Sequence, residues 1–372
     1  MVKPGDTVYS IASFYGVKMD TLIYMNQLVY PYELAVGQAL LIQVGQQEKT
    51  VSIRSNGYAY PFINSWVLNN TLPFLSELSV FSYGFTENGD LIPPFTDDVW
   101  MVEKALQNET LPILTLTPLG ADGMFNSNLI SVIVRNPDSR ERLLNQLVVV
   151  MQEKSYGGLD IDFEYIKAED RDLFTEFVRT CTERMHSEGY QVSVALAPKT
   201  SADQKGVLYE GKDYKALGEI ADHVLLMTYE WGYTYGPPMA VAPLNMVRRV
   251  VEYAVTEIPP EKISLGIPNY GYDWPLPFIK GVTKAKTIGN VEAVQIAVSQ
   301  GALIHFDELA QSPYFQYESD GIMHEVWFED VRSLKKKFDL IKEFGLRGPG
   351  YWQIMQFFRA NWLLLSDYFN IL

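Results

Sequence analysis

The chain is poor in the residues that build disulfides and metal sites. Its 372 residues include one cysteine and four histidines. A single cysteine excludes an internal disulfide, and the helical spacing of apolar residues around Cys181 predicts a buried thiol. His186, His223, His305 and His324 do not follow the spacing of metal ligands. We therefore expect neither a metal site nor a cofactor.

Basic charge and long apolar runs are also scarce. The chain has 30 Lys and Arg against 45 Asp and Glu, a formal charge of −15, which disfavours nucleic-acid partners. No apolar run reaches the roughly 18 residues of a membrane span, so we expect no membrane insertion. The start, MVKPGDTVYS, lacks the features of a secretory signal. Either a signal was removed, or the protein reaches its substrate without one.

Apolar and aromatic residues are plentiful by contrast, at 47% and 13% of the chain. Together with the length, they predict a small module joined to one large domain with a sizeable core. We place the module at residues 1–44, a polar linker at 45–50 and the large domain at 51–372. We expect a monomer.

The first 44 residues read as β-α-α-β. A Pro-Gly-Asp turn precedes Thr7, a good helix N-cap, and KMDTLIYMNQL predicts a second short helix before the closing strand LAVGQALLIQ. The segment resembles a LysM domain, and the resemblance implies binding to peptidoglycan or chitin-type N-acetylglucosamine glycan. The alternative is a module that only spaces or solubilises its neighbour. The matching residues are Val2, Lys3, Pro4, Gly5, Asp6, Thr7, Ile11, Ala12, Leu22, Asn26, Gly37, Gln38 and Ile42.

The remainder alternates short apolar strands with amphipathic helices. Eight strands with helical crossovers predict a (β/α)8 TIM barrel, an α/β fold. The alternative, an open doubly wound sheet, usually carries a glycine-rich phosphate loop after its first strand, and SNGYAYPF is not one. Between strands 7 and 8 we expect a small α+β insertion at about 273–325. The candidate strands are VSIRSNGYAY, LSVFSYGFT, LPILTLTPL, GGLDIDFEYI, QVSVALAPK, HVLLMTYEW, ISLGIPNYGY and GPGYWQIMQ.

Tyrosine and tryptophan concentrate where these strands end, in YAYPF, SYGF, DFEY, MTYEWGYTYG, NYGYDW and GYWQ. Barrel enzymes place their sites at the carboxyl ends of the strands, and aromatic rings pack against the apolar faces of sugars. The rings could instead fill the core, but their repetition at one face favours a sugar-binding cleft.

Three carboxylates alternate with apolar residues in YGGLDIDFEYI. On a strand, Asp160, Asp162 and Glu164 project from one face. Neighbouring like charges raise the affinity of one acid for a proton, and glycoside hydrolysis needs such a protonated acid. The alternative, a solvated face on an edge strand, fits poorly with the apolar flanks.

The same residues resemble glycoside hydrolase family 18, the chitinase-like barrels. The fourth-strand pattern D-G-x-D-x-D-x-E is matched from Gly158 onward, with Gly157 in place of the first Asp. The sixth-strand pattern M-x-Y-D appears as MTYE, with Glu230 in place of Asp, and Trp352 matches the last-strand tryptophan that forms the floor of the sugar site.

This resemblance implies a retaining, substrate-assisted mechanism. Glu164 would be the acid and then the base, Asp162 would stabilise the substrate's acetamido group with support from Tyr229, and Asp160 would lie deepest. The residues expected to bind substrate are Tyr58, Tyr83, Met227, Glu230, Trp231, Asn269, Tyr270 and Trp352.

The combination of one LysM segment with this barrel looks like the spore cortex-lytic N-acetylglucosaminidases of endospore-forming bacteria. It implies a peptidoglycan hydrolase that cleaves after N-acetylglucosamine, located in the spore coat or cortex or in the cell wall. One alternative is a chitinase or chitooligosaccharide hydrolase, and a weaker one is a non-catalytic wall-binding lectin.

Overall fold

The computed structural model of the chain describes residues 1–45 and 49–372. Its centre is a closed barrel of eight parallel strands, in which each strand pairs with the next and the last pairs with the first. This confirms the predicted (β/α)8 fold. The strands are β1 Asn56–Ala59, β2 Glu77–Phe85, β3 Leu111–Leu116, β4 Gly158–Ile161, β5 Gln191–Leu196, β6 His223–Leu226, β7 Ile263–Pro268 and β8 Gly348–Trp352.

Helices follow every strand and cover the outside of the barrel. No helix within the described ranges is long and apolar enough to cross a membrane. Two short strands, Ser52–Ile53 and Asn370–Ile371, pair beside the barrel, and Leu91–Ile92 pairs with β2. The helices are Ser65–Thr71, Val99–Gln107, Asn128–Arg135, Pro137–Lys154, Arg171–Ser187, Tyr214–Ile220, Leu244–Glu257, Val331–Phe344 and Arg359–Tyr368, with 3-10 turns at Leu72–Phe74, Ala168–Asp170 and Pro260–Lys262.

The apolar residues of the acid-bearing segment fix its orientation. Leu159, Ile161 and Phe163 are fully buried in the layer between strands and helices, and the Phe163 ring stacks on Phe177 of the covering helix with centroids 5.6 Å apart. Because side chains alternate along an extended chain, burying these residues outward turns the acids between them toward the barrel interior.

The expected insertion is present between β7 and β8. It contains a five-stranded antiparallel sheet and the helix Asn290–Ser299. Its strands, in spatial order, are Lys286–Ile288, Gly271–Pro275, Ile322–Trp327, Ser312–Ser319 and His305–Asp307. The sheet rises from the carboxyl end of β7, which places it on the rim that carries the active site of such barrels.

The amino-terminal segment contains both predicted helices, Val8–Tyr15 and Met19–Met25. Thr7 caps the first helix by accepting a hydrogen bond from Ser10 N at 3.0 Å. The two strands expected at its ends are reduced to extended segments joined by the hydrogen bonds Val2 N to Gln38 O and Gly37 N to Val2 O. Two bonds are too few for a regular ladder. Of the predicted linker, residues 46–48 lie outside the described residues.

This segment packs directly on the barrel and its insertion. Gln27 Nε2 donates to Phe357 O at 3.2 Å, and Arg359 N donates back to Gln27 Oε1 at 2.6 Å. At a second contact, Ile304 N donates to Val36 O at 2.9 Å. Gly37 has φ +86°, and a Cβ there would lie 1.9 Å from Ile304 O, so the close approach requires glycine.

Candidate active site

Three carboxylates mark the carboxyl end of β4. Asp160, in the strand, is fully buried and accepts hydrogen bonds from Tyr58 Oη at 2.9 Å and Ser193 Oγ at 2.6 Å. Asp162 and Glu164 follow just beyond the strand, which ends earlier than the sequence pattern predicts. The first acid therefore lies in the strand at the base of the site, and the other two lie beyond the end of the strand, nearer the opening of the site.

Asp162 is the least satisfied of the three acids. Its side chain is buried, and among the residues that the structure describes its Oδ1 atom has no hydrogen-bond partner. Its main-chain N–H donates to Leu116 O at 3.0 Å, which fixes the backbone although the carboxyl group is free. A buried polar atom without a protein partner is rare, so this carboxyl group is a functional candidate.

All three acids hold protons more tightly than usual. Burial raises the pKa of Asp160 to about 6, against the lowering effect of its bonds to Ser193 and Tyr58. Burial, then the charges of Glu164 and Asp160, raise the pKa of Asp162 well above its ordinary value. Burial also raises the pKa of Glu164. The group can therefore keep a proton near neutral pH, as general acid catalysis requires.

The two outer acids open into a cleft of about 640 Å³. Aromatic rings form most of its walls, so part of the strand-end aromatic set surrounds a cavity. Other members of that set, such as Phe85, Phe163 and Tyr351, are buried in the core. The predicted site residues that line it are Asp162, Glu164, Met227, Tyr229, Glu230, Trp231 and Trp352.

Trp352, the last residue of β8, lies at the centre of the aromatic wall. Its ring is 4.8 Å from Phe81, 5.8 Å from Tyr58 and 6.2 Å from Tyr60, measured between centroids. The edge-on and tilted contacts hold the indole from its sides, and the indole also lines the cleft. Such a platform suits the apolar face of a sugar ring.

Tyr229 and Glu230 also line the cleft. Burial, followed by the charges of Asp162 and Glu164, raises the pKa of Tyr229, so its hydroxyl group remains a donor. Glu230 adopts the left-handed conformation, with φ 66°. Its carboxylate accepts hydrogen bonds from the Tyr270 hydroxyl and from Tyr272 Oη at 2.9 Å. Strained backbone of this kind clusters at functional sites.

Comparison with known proteins identifies the family. Residues 107–356 match the sequence profile described as "Glycosyl hydrolases family 18", and residues 1–43 match "LysM domain". The chain belongs to glycosyl hydrolase family 18. The match spans the strand with the three acids and extends to the cleft tryptophan, so the residues that form the site lie within the family region.

Relatives in this family cover the whole chain. The cortical fragment-lytic enzyme of Bacillus subtilis is 41% identical over 425 aligned positions, covering 100% of this chain and 98% of the relative. A putative sporulation-specific glycosylase of the same organism, YdhD, is 33% identical and covers 100% of this chain. The crystal structure of the Bacillus cereus spore cortex-lytic enzyme SleL superposes with a TM-score of 0.84 at 38% identity, covering 100% of this chain and 86% of that one.

Three other predicted substrate contacts lie behind the cleft surface. Tyr58 donates to Asp160 at the base of the site, and Tyr270 donates to Glu230. Asn269 Nδ2 donates to Gln353 O at 3.2 Å, which ties β7 to the loop after β8. These residues shape the cleft of this family 18 barrel, while their polar atoms are engaged within the protein.

Tyr83 requires a correction, because the structure places it away from the cleft. It is fully buried, its hydroxyl group donates to Asp98 Oδ2 at 2.5 Å, and Lys154 Nζ donates to that hydroxyl at 2.9 Å. The pairing of β2 with β3 shifts register between Val80 and Tyr83. Such a bulge re-aims the side chain that follows it. Phe81 lines the cleft instead.

Several cleft residues were not among the predicted contacts, and most come from loops. Phe125 and Tyr209 belong to long connections after β3 and β5, where sequence periodicity gives no signal. Tyr165 and Tyr233 lie within the strand-end aromatic motifs DFEY and MTYEWGYTYG, so the same reasoning could have included them. The full set is Tyr60, Phe81, Phe125, Tyr165, Ala197, Pro198, Leu208, Tyr209 and Tyr233.

Metal ligands do not accompany these acids. Across residues 1–45 and 49–372, no group of three or more His, Cys, Asp and Glu side chains has an arrangement suited to a metal ion.

Proposed function

We propose that this protein is a peptidoglycan hydrolase of the β-N-acetylglucosaminidase type that acts on spore cortex glycan. The family assignment supports glycoside hydrolysis, and the relatives named for cortex lysis support this polymer. The observation that carries the proposal is the buried Asp162 carboxyl group, which has an oxygen without a hydrogen-bond partner among the described residues and lies in an aromatic cleft beside Glu164, whose pKa is raised by burial.

The proposed reaction begins with Glu164 in its protonated form. Glu164 donates its proton to the glycosidic oxygen, and the bond from that oxygen to the anomeric carbon breaks. The substrate's own acetamido carbonyl oxygen attacks the anomeric carbon from the other face and forms an oxazolinium ion. Asp162 orients the acetamido N–H and balances the positive charge, and the Tyr229 hydroxyl group donates to the same acetamido group.

Water completes the turnover. Ionised Glu164 takes a proton from the water molecule, which attacks the anomeric carbon and reopens the oxazolinium ring. Two displacements give net retention of configuration. Asp160, held by Tyr58 and Ser193, supports Asp162 from below. Trp352 forms the floor under the reacting sugar. This scheme needs an N-acetyl group on that sugar, and it needs no second carboxylate as nucleophile.

The LysM segment supports a polymeric substrate in the wall. LysM and family 18 regions together suggest binding of N-acetylglucosamine glycan, whether peptidoglycan or chitin. We propose that the protein acts on fragments of spore cortex that another enzyme has already opened, and that it works as a monomer.

The test is mass spectrometry of purified cortex muropeptides after incubation with three proteins: wild type, Glu164→Gln and Glu183→Gln. Glu183 is an exposed glutamate on an outer helix and serves as the matched control. We expect products ending in reducing N-acetylglucosamine from wild type and from the control, and a loss of at least about a thousandfold in Glu164→Gln.

Other outcomes separate the alternatives. Hydrolysis of chitin oligomers without hydrolysis of muropeptides would favour a chitinase. Glycan binding by all three proteins without hydrolysis of either substrate would favour a wall-binding lectin. Equal turnover by wild type and Glu164→Gln would contradict the assignment of the acid.

A further inference from the structure

A fully buried lysine lies close to the three acids. Lys212 precedes the helix Tyr214–Ile220, and its side chain has no exposed surface. Its Nζ atom donates one hydrogen bond, to Ala195 O of β5 at 2.5 Å. Within the described residues it forms no ion pair with a carboxylate at 4.0 Å or less. A buried ammonium group without a carboxylate in direct contact is unfavourable unless the charges of more distant acids compensate it.

The loop that carries Lys212 is packed against the acid-bearing loop. A Cβ on Gly211 would lie 2.3 Å from Ile166 O, so the two loops touch through backbone just beyond Glu164. Lys199 Nζ donates to Lys212 O at 3.0 Å and fixes the loop from the other side. The lysine is therefore held in one place by its surroundings, as a residue that positions charge must be.

The compensating charges are those of the catalytic group. Lys212 lowers the pKa values of Asp160, Asp162 and Glu164, each of which is raised first by burial. Burial lowers the pKa of Lys212 itself to about 8, and the same three acids oppose that effect. The three catalytic acids therefore share the charge of Lys212, which can balance one ionised carboxylate.

We propose that Lys212 is a positioning residue for the acid–base step: its ammonium group keeps one carboxylate of the group ionised while Glu164 retains its proton. The inference rests on the proposed hydrolase function for its role in turnover. The titratable and charged groups facing this cluster from the packed elements are Tyr58 of β1, Tyr60 beyond it, Glu77 of β2, Asp160, Asp162 and Glu164 of β4 and its loop, Tyr165 in the same loop, and Tyr229 and Glu230 beyond β6.

The experiment compares pH–rate profiles of wild type, Lys212→Met and Lys215→Met on cortex muropeptides. Lys215 is an exposed lysine in the adjacent helix Tyr214–Ile220, so its substitution removes the same charge from the surface instead of from the buried cluster. Removing the Lys212 charge raises the pKa values of the acids, so both limbs of the profile should move to higher pH by about one unit. Lys215→Met should leave the profile in place.

A second measurement makes the inference independent of turnover. Titration of ¹³C-labelled Asp and Glu carboxyl groups by NMR, assigned with Asp162→Asn and Glu164→Gln, should show the same upward movement in Lys212→Met without any substrate. Lys212→Gln, which can still donate to Ala195 O, replaces the methionine variant if the latter does not fold. Superimposable titrations of the neutral variant and wild type would overturn the proposal, even if the rate fell. Absence of hydrolysis by wild type would instead contradict the hydrolase function alone.

Discussion

Two buried acids at opposite ends of the barrel behave in opposite ways. Glu77, the first residue of β2, is fully buried at the amino ends of the strands. It accepts a hydrogen bond from Arg347 Nη2 at 2.7 Å and one from Gln191 Nε2 at 2.9 Å. Asp162, beyond the carboxyl end of β4, is also buried. Within the described part of the chain, Glu77 Oε2 and Asp162 Oδ1 both lack a hydrogen-bond partner, but Glu77 forms an ion pair with Arg347 and Asp162 forms none.

Their pKa values shift in opposite directions accordingly. Burial alone would raise the pKa of Glu77, but His223, Arg347 and the hydrogen bonds lower it instead. Burial lowers the pKa of His223 to about 4, so Arg347 supplies the lasting positive charge at neutral pH. Asp162, with acids as neighbours, has a raised pKa. The partners of a buried carboxyl group, and not its burial, decide whether it stabilises the fold or serves chemistry.

The largest effect should follow from changing Asp162 to Asn. We expect the turnover number on muropeptides to fall by about a thousandfold, because the neutral amide cannot balance the oxazolinium charge. The free energy of unfolding at pH 7 should be equal or higher, since the variant removes an unpaired buried acid. Steady-state kinetics and urea unfolding of the same preparation check both. A large loss of stability would show that Asp162, like Glu77, stabilises the fold, and would contradict the difference drawn between them.

Changing Glu77 to Gln should lower the stability of the fold and leave the turnover number unchanged. Removing one partner from a buried charge pair leaves Arg347 uncompensated, so unfolding free energy should fall by about 3–5 kcal/mol. The activity of the folded fraction should be unchanged, because the residue lies at the far end of the strands. Urea unfolding at pH 7 measures the effect, with Glu183→Gln as the exposed control, expected within about 0.5 kcal/mol of wild type.

The contribution to stability should change with pH in opposite directions for Glu77, at the amino ends of the strands, and Asp160, at the carboxyl end of β4. The lowered pKa of Glu77 contributes stability that is present above about pH 4.5 and is lost as the pH falls through its folded-state value. The pKa of Asp160 rises from 3.8 to about 6 on folding, so its contribution is present below about pH 4 and is lost as the pH rises through 6. Through Asp160 alone this loss is on the order of 3 kcal/mol.

Measuring the unfolding free energies of Asp160→Asn and wild type from pH 4 to pH 7 checks the predicted direction of this change. The stability difference between the two proteins should shift in favour of the variant as the pH rises. A constant difference across the range would mean that Asp160 titrates in the folded protein as it does in the unfolded chain.

The smallest effect should come from Gly157→Asp, which restores the first acid of the family pattern. A Cβ at this position would lie 2.2 Å from Leu111 Cδ1, so the new carboxyl group would meet an apolar side chain. We expect a stability loss of about 1–3 kcal/mol and unchanged turnover. Comparison with Gly157→Ala shows how much of the stability loss is due to the added side-chain atoms and how much to the carboxylate charge. A gain in turnover in Gly157→Asp would show that the missing acid matters to the chemistry.

Much of the fold could be predicted from the sequence because the barrel strands carry local signals. Apolar runs such as LPILTL and QVSVAL are buried over most of their length, and the residues between the acids of β4 alternate clearly. The strands of the LysM segment were less predictable, because two backbone hydrogen bonds hold them and no periodic burial accompanies so short a pairing.

The acids of the candidate site could be predicted because their spacing is itself the signal. Glu164, Asp162 and Asp160 follow from period-2 alternation on one strand. Tyr83 could not be placed correctly, because the bulge before it is a property of the pairing with β3 and leaves no mark in the residue types. Lys212 was missed for a different reason: only the folded loop brings it beside acids fifty residues earlier in the chain.

The contacts between the LysM segment and the barrel have a consequence for the products. A module on a flexible tether samples many positions, and the tether sets its effective concentration. Here Gln27 Nε2 donates to Phe357 O and Gln27 Oε1 accepts from Arg359 N, while Val36 O accepts from Ile304 N of the insertion. If the LysM segment binds a glycan, the distance along that glycan from the LysM segment to the catalytic cleft is therefore fixed. We expect long strands to be cut into pieces of even length.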